Sequence, residues 1–399
     1  FSSVELSIVR PNMKHKHVVI IGGGVIGAFT AYFLMQKGWQ VTIVEKGRFG
    51  SGSSEANCGL IVPNHVLPLN SPGALLKAFR GMLTRDAPLH VKPRLDPDLF
   101  RWLIRFALKC GQRDILRSAR GRHALLQSSF ALYPTIVEKE RIDCDWEVGG
   151  SVHAFRADKE WHAYATVDAA VRKFGIAAEK LDRGQLQRLE PSLAPDLCGG
   201  WHYPQTAHLR PEKLLAAMHS LLVQKGAAIL ENVEAIGFDE FNDCAVKVRT
   251  EDTTISADVF VVAAGAWTPW LQKELGCRIS IQPGKGYSIT MARPDRALAV
   301  PCFFEEKSVV ATPWQDAFRL GGTMEFGGFD DSLAPQRLSA LTRSADRYLA
   351  ESCLGDVEKE WCGFRPMTCD GLPIIDRSPR FNNVIIAAGH NMLGLSMGP

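Results

Sequence analysis

Residues 17–47 read HVVIIGGGVIGAFTAYFLMQKGWQVTIVEKG, and the fold is decided by how that string is punctuated. Four branched apolar residues, Val18 to Ile21, make a buried strand. Gly22, Gly24 and Gly27 follow in G-x-G-x-x-G spacing and open an amphipathic run that Gly38 stops. A second strand, Val41 to Val44, ends in an acid, Glu45. Each part has a job in gripping a dinucleotide. Gly22 allows the tight turn off the strand, Gly24 lacks a Cβ that would hold a pyrophosphate away, and Gly27 lets helix and strand pack closely. The helix start, at Val25 and Ile26, offers free N–H groups and a partial positive charge to phosphates. Glu45, with Lys46 beside it, can accept hydrogen bonds from an adenosine ribose. The glycine spacing alone is weak; strand, glycines, helix, strand and acid in that order are specific for a dinucleotide site. This stretch does not distinguish FAD from NAD.

A chain of 399 residues is comfortable for two domains, and 46% apolar with 22% charged residues describes an ordinary globular protein. The net charge of +3 is too small and too dispersed for nucleic acid. The longest apolar runs are too short to span a bilayer. Ten cysteines are scattered without C-x-x-C or paired Cys/His spacing. That pattern argues against a metal site or a disulfide framework and favours a reducing, cytoplasmic setting. No secretory signal is evident, and residues 1–12 read as an unpatterned tail.

Outward from the first unit, Arg48 to Pro63 is a small-residue loop in which Ser53 and Ser54 are placed to N-cap a helix facing the same phosphates. A helical, basic and apolar region runs from Gly73 to about Arg122. Its strongest piece, Leu99 to Leu108 (LFRWLIRFAL), either packs in a second domain or presents a patch to a partner or a membrane surface. A strand is expected in 144–155, helices at 159–174, 182–190 and 212–226, and strand material at 227–237. A hairpin follows over 245–256, and a buried strand over 258–267. Antiparallel strands are expected at 279–281, 286–291, 308–312 and 319–324, then a helix at 339–352 and a strand at 383–388. Parallel-type strands therefore recur near 18, 41, 260 and 384 with antiparallel material between. This is an α/β chain in which a discontinuous, Rossmann-like FAD-binding domain (13–85, 195–270 and 357–399) is interrupted by an α+β substrate domain on an antiparallel sheet (86–194 and 271–356). Nicotinamide-dependent dehydrogenases more often keep the nucleotide domain contiguous, so the layout favours FAD.

Four motifs carry a likeness: GGGVIG, Ala263-Ala-Gly-Ala-Trp267, the run from Gly363 to Pro373 (GFRPMTCDGLP), and Ala388-Gly389-His390. In that order they resemble the FAD-dependent amine and amino-acid oxidoreductases of the D-amino-acid oxidase superfamily. Asn57 to Pro63, Ala87-Pro88-Leu89 and GFRPMTCDGLPIID are most similar to the group holding the D-amino-acid dehydrogenase small subunit, with glycine oxidase close behind. The resemblance implies non-covalently bound FAD. It puts Gly22, Gly24, Gly27 and Glu45 on the ADP half, and Ser53, Ser54, Asn57, Cys58, Gly59 and Leu60 along the pyrophosphate and flavin. Val233 would meet adenine through its backbone, and Ala264, Gly265 and Trp267 would pass beside the dinucleotide. Gly389, Asn391, Met392, Leu393 and Gly394 would turn into a helix aimed at the flavin pyrimidine.

Arg365 is the candidate for binding a substrate carboxylate, because a guanidinium offers two parallel charge-assisted hydrogen bonds. The alternative is a structural arginine paired with an acid such as Asp370. His390 stands either beside the flavin and substrate or in a backbone role. His65 is a weaker pocket candidate, His208 reads as structural, and Glu305 and Glu306 as a solvated loop. The implied reaction is oxidation of the Cα–N bond of a D-amino acid to an imino acid, then to a keto acid and ammonia. The alternatives are an oxygen-using glycine or sarcosine oxidase and a hydroxyproline or opine dehydrogenase subunit. The electron acceptor (quinone, partner subunit or oxygen) stays open, as do an oligomer and peripheral contact with the inner face of a membrane.

Overall fold

The structure is a computed structural model that describes residues 16–70, 89–350 and 355–399. The expected tail, most of the apolar region's first half and the end of the 339–352 helix lie outside those residues. Strands β1 (His17–Ile21), β2 (Gln40–Glu45), β9 (Ala228–Glu231), β13 (Val259–Val262) and β20 (Val384–Ala388) pair in parallel, and β19 (Ile374–Arg377) closes one edge antiparallel. The order β19-β20-β13-β1-β2-β9 assembles pieces more than 200 residues apart in sequence, as the recurrence of parallel-type strands predicts. Val18, Ile20 and Ile43 on one face of this sheet pack against Ala28 and Phe29 of helix Val25–Gln36 and Leu214 and Met218 of helix Pro211–Gln224. On the other face Phe260 meets Phe238 of a small sheet, β10 (Ala235–Phe241), β11 (Cys244–Thr250) and β12 (Thr254–Ser256). Each such buried side chain contributes roughly 1.5–3 kcal/mol.

The second large sheet is mainly antiparallel. It runs β18 (Val357–Thr368), β14 (Ile281–Ala292), β17 (Ala317–Phe326), β16 (Val309–Pro313), β15 (Cys302–Phe304), β5 (Ser151–Phe155), β7 (Gly199–Tyr203) and β6 (Glu179–Asp182), with β4 (Leu89–Val91) beside β17. Helix Pro335–Tyr348 covers one face through Leu341, Ala345 and Tyr348. It starts a turn earlier than the periodicity suggests because Pro335 is pre-set for the first helical position. The expected 159–174 helix is two short ones, Asp158–Ala163 and Ala165–Arg172, broken at Tyr164. The Tyr164 hydroxyl reaches into the sheet toward His153 Nδ1, 3.2 Å away. A two-stranded ladder, β3 (Leu60–Ile61) with β8 (Ala207–His208), ties the loop after the fingerprint to the second sheet's neighbourhood. Helix Pro97–Leu108 packs one face and bares the other. Leu99 and Trp102 are buried against β17 and β18, while Phe100, Ile104 and Leu108 face outward.

Candidate functional site

A cavity of about 1630 Å³ separates the two large sheets, with the fingerprint turn on one wall and strands β14, β17 and β18 on the other. Pockets for drug-sized ligands run to roughly 1,000 Å³, so this one accommodates something larger. Of the cofactor candidates, all but Gly27, Gly59 and Gly389 line it. Those three stand behind the wall and shape the backbone. A Cβ on Gly27 would lie 1.9 Å from the Gly22 carbonyl oxygen, and one on Gly59 would lie 2.0 Å from that of Leu209. Gly22 itself has φ 111°, a left-handed conformation that glycine adopts without strain.

The acid that ends β2 is clipped in place by main chain. Gly23 N–H donates to Glu45 Oε2 at 2.7 Å and Gly47 N–H to Oε1 at 2.9 Å. Each oxygen keeps lone-pair capacity for a further donor. Lys46 lies 3.7 Å from the Trp267 ring centroid and 5.0 Å from that of Trp270, and burial lowers its pKa. Val233 lines the cavity and donates its N–H to the Glu45 carbonyl at 2.9 Å. Gly265, with φ 55°, starts the 3-10 turn Gly265–Leu271 that carries Trp267.

The loop from Ser53 departs from expectation. Ser53 and Ser54 start no helix, because residues 51–55 are turns. Ser54 Oγ instead accepts from Val25 N–H at 3.0 Å and so caps the fingerprint helix, whose own N-cap position is the side-chain-less Gly24. The first-turn amides of Ile26 and Gly27 have no acceptor within the helix. Asn57 Oδ1 holds Gly59 N–H at 2.8 Å, and the carbonyls of Ala56, Asn57 and Cys58 are each anchored at 2.8 Å, by Ser288, Arg319 and Thr312. Cys58 is part-buried, and burial raises its thiol pKa.

On the opposite wall Arg365, in β18, lines the cavity and makes no ion pair among the described residues. Its Nη1 donates to the Thr323 carbonyl at 2.8 Å. Asp370, the alternative partner, accepts from Leu372 N–H instead. Gly286 on the neighbouring strand makes room: a Cβ there would stand 2.1 Å from Nη1. Burial lowers the arginine's pKa. The geometry is a guanidinium held by neutral acceptors alone, the Thr323 carbonyl and more distantly Met324 Sδ, with charge left over for an anion in the cavity.

His390 lines the same cavity, and burial pulls its pKa down to about 4. The expected helix after it does not form. Gly389 and Asn391 have φ of 78° and 55°, and residues 391–392 and 394–397 are turns, with Leu393 N–H bonded to His390 O and Met397 N–H to Leu393 O. A left-handed Asn391 cannot begin a helix, and Gly394, Gly398 and Pro399 disfavour one beyond it. Asn391 latches this turn to β18: its Oδ1 accepts from Thr368 N–H at 2.9 Å and its Nδ2 donates to Gly389 O at 2.8 Å.

His65 also faces the cavity; burial first, then His153, pushes its pKa down to about 3. Glu305 and Glu306 are not a solvated loop. Glu305 Oε1 lies 2.6 Å from His153 Nδ1, and Glu306 accepts from the Arg156 and Ala157 amides at 2.8 and 2.9 Å and from the Tyr348 hydroxyl. His153 stacks on Phe303 at 4.3 Å. His153 and Thr323 escape a reading of the sequence, since their partners lie 152 and 42 residues away. Gly286 had a signal, an isolated glycine in a strand pattern, which marks close approach of another group. His208 is buried, and burial lowers its pKa; it lies outside the cavity wall.

The fold and cavity define a flavin-type dinucleotide oxidoreductase, and comparison with known proteins gives the family. The family described as FAD dependent oxidoreductase matches residues 17–399, and the chain belongs to it. It is 33% identical to a D-amino acid dehydrogenase of Methylobacterium radiotolerans, covering 96% of this chain and 92% of that relative. It is 30% identical to a D-amino acid dehydrogenase of Vibrio vulnificus, covering 95% and 92%. Glycine oxidase from Geobacillus kaustophilus shares the fold with a TM-score of 0.78 at 24% identity, covering 96% of this chain and 92% of that one. Glycine oxidase from Bacillus cereus does so with a TM-score of 0.76 at 22% identity and the same coverage. The residues present fit FAD: a Cβ-free cradle at Gly22 and Gly24, unpaired first-turn amides, an acid with spare acceptors and a cavity of sufficient volume. Among the described residues no helix is long and apolar enough to cross a membrane, and no metal-binding cluster occurs.

Proposed function

We propose that the protein is a dehydrogenase acting on the Cα–N bond of a D-amino acid, whose imino-acid product water converts to a keto acid and ammonia. The observation that carries this reading is Arg365, a cavity-facing guanidinium with no anionic partner among the described residues. FAD, held without a covalent link, supplies the two-electron acceptor when bound. The ADP half would rest on Gly22, Gly24, Val25, Ile26 and Glu45, with Lys46, Val233, Ala264, Gly265 and Trp267 alongside. Ser53, Ser54, Asn57, Cys58 and Leu60 would border the remainder, with Asn391 to Gly394. We assign 13–85, 195–270 and 357–399 to this half of the molecule and 86–194 with 271–356 to the substrate half, except that β7 (Gly199–Tyr203) and β18 (Val357–Thr368) belong to the antiparallel sheet of the substrate half.

Arg365 takes the substrate carboxylate through paired N–H donors and so orients the Cα. His65 and His390, held neutral by burial, add no competing positive charge near it. With pKa values lowered by burial to about 3 and about 4, neither imidazole is a strong enough base to hold the ammonium proton at neutral pH. The D configuration rests on the relatives' shared activity across nearly the whole chain.

The experiment is anaerobic mixing of the yellow holoenzyme with D- and L-amino acids, glycine, sarcosine and hydroxyproline. Loss of colour with D-amino acids first is the expected result. Bleaching with L-amino acids in preference to D-amino acids, or with none of the panel, overturns the reading. Repeating the productive pair in air separates a dehydrogenase from an oxidase.

A further inference from the structure

A second cavity, of about 270 Å³, lies between helix Pro97–Leu108, the turn Gly265–Leu271 and the start of β14. Trp102 and Trp270 line both cavities, so the two share a wall. Four arginines line the smaller one: Arg94, Arg101, Arg105 and Arg278. Two are matched, Arg94 by Asp96 and Arg101 by Asp98, each at 2.8 Å. Arg105 and Arg278 have no ion-pair partner among the described residues, and the rest of the polar lining, Gln272, Ser280 and Gln282, is uncharged. Two guanidiniums are therefore in surplus.

Arg94 is the more telling residue. Its Nε and Nη2 reach Asp96, and Nη2 also meets Gln282 Oε1 at 3.3 Å. Its Nη1 is buried without an acceptor. A buried charged donor left unpaired is costly, and the remedy is an acceptor brought in from outside. We propose that this cavity binds a phosphate-type oxyanion, which offers several acceptor oxygens and negative charge to a ring of guanidiniums. The ligand is small, because pockets for drug-sized molecules start at roughly 300 Å³. The site does not depend on the amino-acid reading of the larger cavity.

The same chemistry has two sources. Phe100, Ile104 and Leu108 stand one turn apart on the outward side of helix Pro97–Leu108 and are 52%, 62% and 72% exposed. A phospholipid would place its phosphate among the arginines with this stripe against acyl chains. A soluble phosphate ester would use the cavity alone.

The test is calorimetric titration of the holoenzyme with inorganic phosphate against chloride at matched ionic strength. In parallel, the protein is floated with phosphatidylglycerol vesicles and with phosphatidylcholine vesicles. The double variant Arg105→Ala/Arg278→Ala changes only exposed side chains, and its flavin content checks that it folds. The expected result is phosphate binding that weakens at least tenfold in the double variant. Flotation on the anionic vesicles alone, lost in the same variant, assigns the lipid source; phosphate binding without flotation assigns the soluble one. Absence of both, or binding undiminished in the double variant, overturns the proposal.

Discussion

The two walls of the large cavity are built by different means. The fingerprint wall works through main chain: amides of Gly23 and Gly47 clip Glu45, and three glycines let backbone approach backbone. The opposite wall works through side chains, with Arg365 admitted by Gly286 and steadied by the Thr323 carbonyl. Main-chain recognition suits a part of the ligand that never varies, the ADP of a dinucleotide. Side-chain recognition suits the part that differs between enzymes, the substrate. The contrast predicts that damage to the first wall removes cofactor, whereas damage to the second leaves cofactor and removes substrate.

The largest effect should follow Gly27→Val. A Cβ at this position would lie 1.9 Å from the Gly22 carbonyl oxygen, so turn and helix cannot both keep their places. The variant should purify without yellow colour or fail to fold; full flavin content would show that the turn is far more pliable than drawn. Arg365→Ala should be the mirror image. Flavin content stays, and KM for the amino acid rises by about 100-fold, the scale for losing one partner of a desolvated charge pair. A variant that loses flavin instead would erase the distinction between the walls.

A smaller effect concerns acid. His390 has a folded pKa of about 4 against an ordinary 6.5, so the unfolded chain binds a proton that the folded protein refuses. The stability it allows is complete above pH 6.5 and is lost as pH falls toward 4. Between pH 7 and pH 5 the loss should be about 2 kcal/mol. Urea denaturation of wild type and His390→Asn at both values should show a smaller pH dependence in the variant; equal slopes would mean that the ring is solvated. The smallest effect belongs to Ser54→Ala, which removes the only side-chain cap on the fingerprint helix among the described residues and should cost about 1 kcal/mol of stability. Its flavin affinity should fall by a few-fold, measured by fluorescence on reconstitution of apoprotein, and an unchanged value would reduce Ser54 to a bystander.

What the sequence made legible follows the same division. The fingerprint wall is contained in about thirty residues whose periods and glycines have local meaning, so β1, the helix, β2 and Glu45 could be read directly. The separated parallel strands at 260 and 384 could be read because buried strands are continuous apolar runs. The role of Ser54 could not, since the amide it caps lies 29 residues back in the chain. Glu305 looked solvated because its partner, His153, is 152 residues away. The helix expected after Gly389 rested on resemblance, and the local chemistry of Asn391 and Gly394 stands against it. Leu99–Leu108 reads as a helix that either packs or presents an apolar patch, and it buries one face while leaving the other bare.

The central claim is that Arg365 grips a carboxylate. It is tested most directly by anaerobic rapid mixing of the wild-type holoenzyme with a D-amino acid and with the corresponding D-amino-acid amide. The two differ only at the group the guanidinium is said to hold. The account predicts that the amide needs about 100-fold higher concentration for half-maximal bleaching. Equal concentration dependence for acid and amide would contradict it.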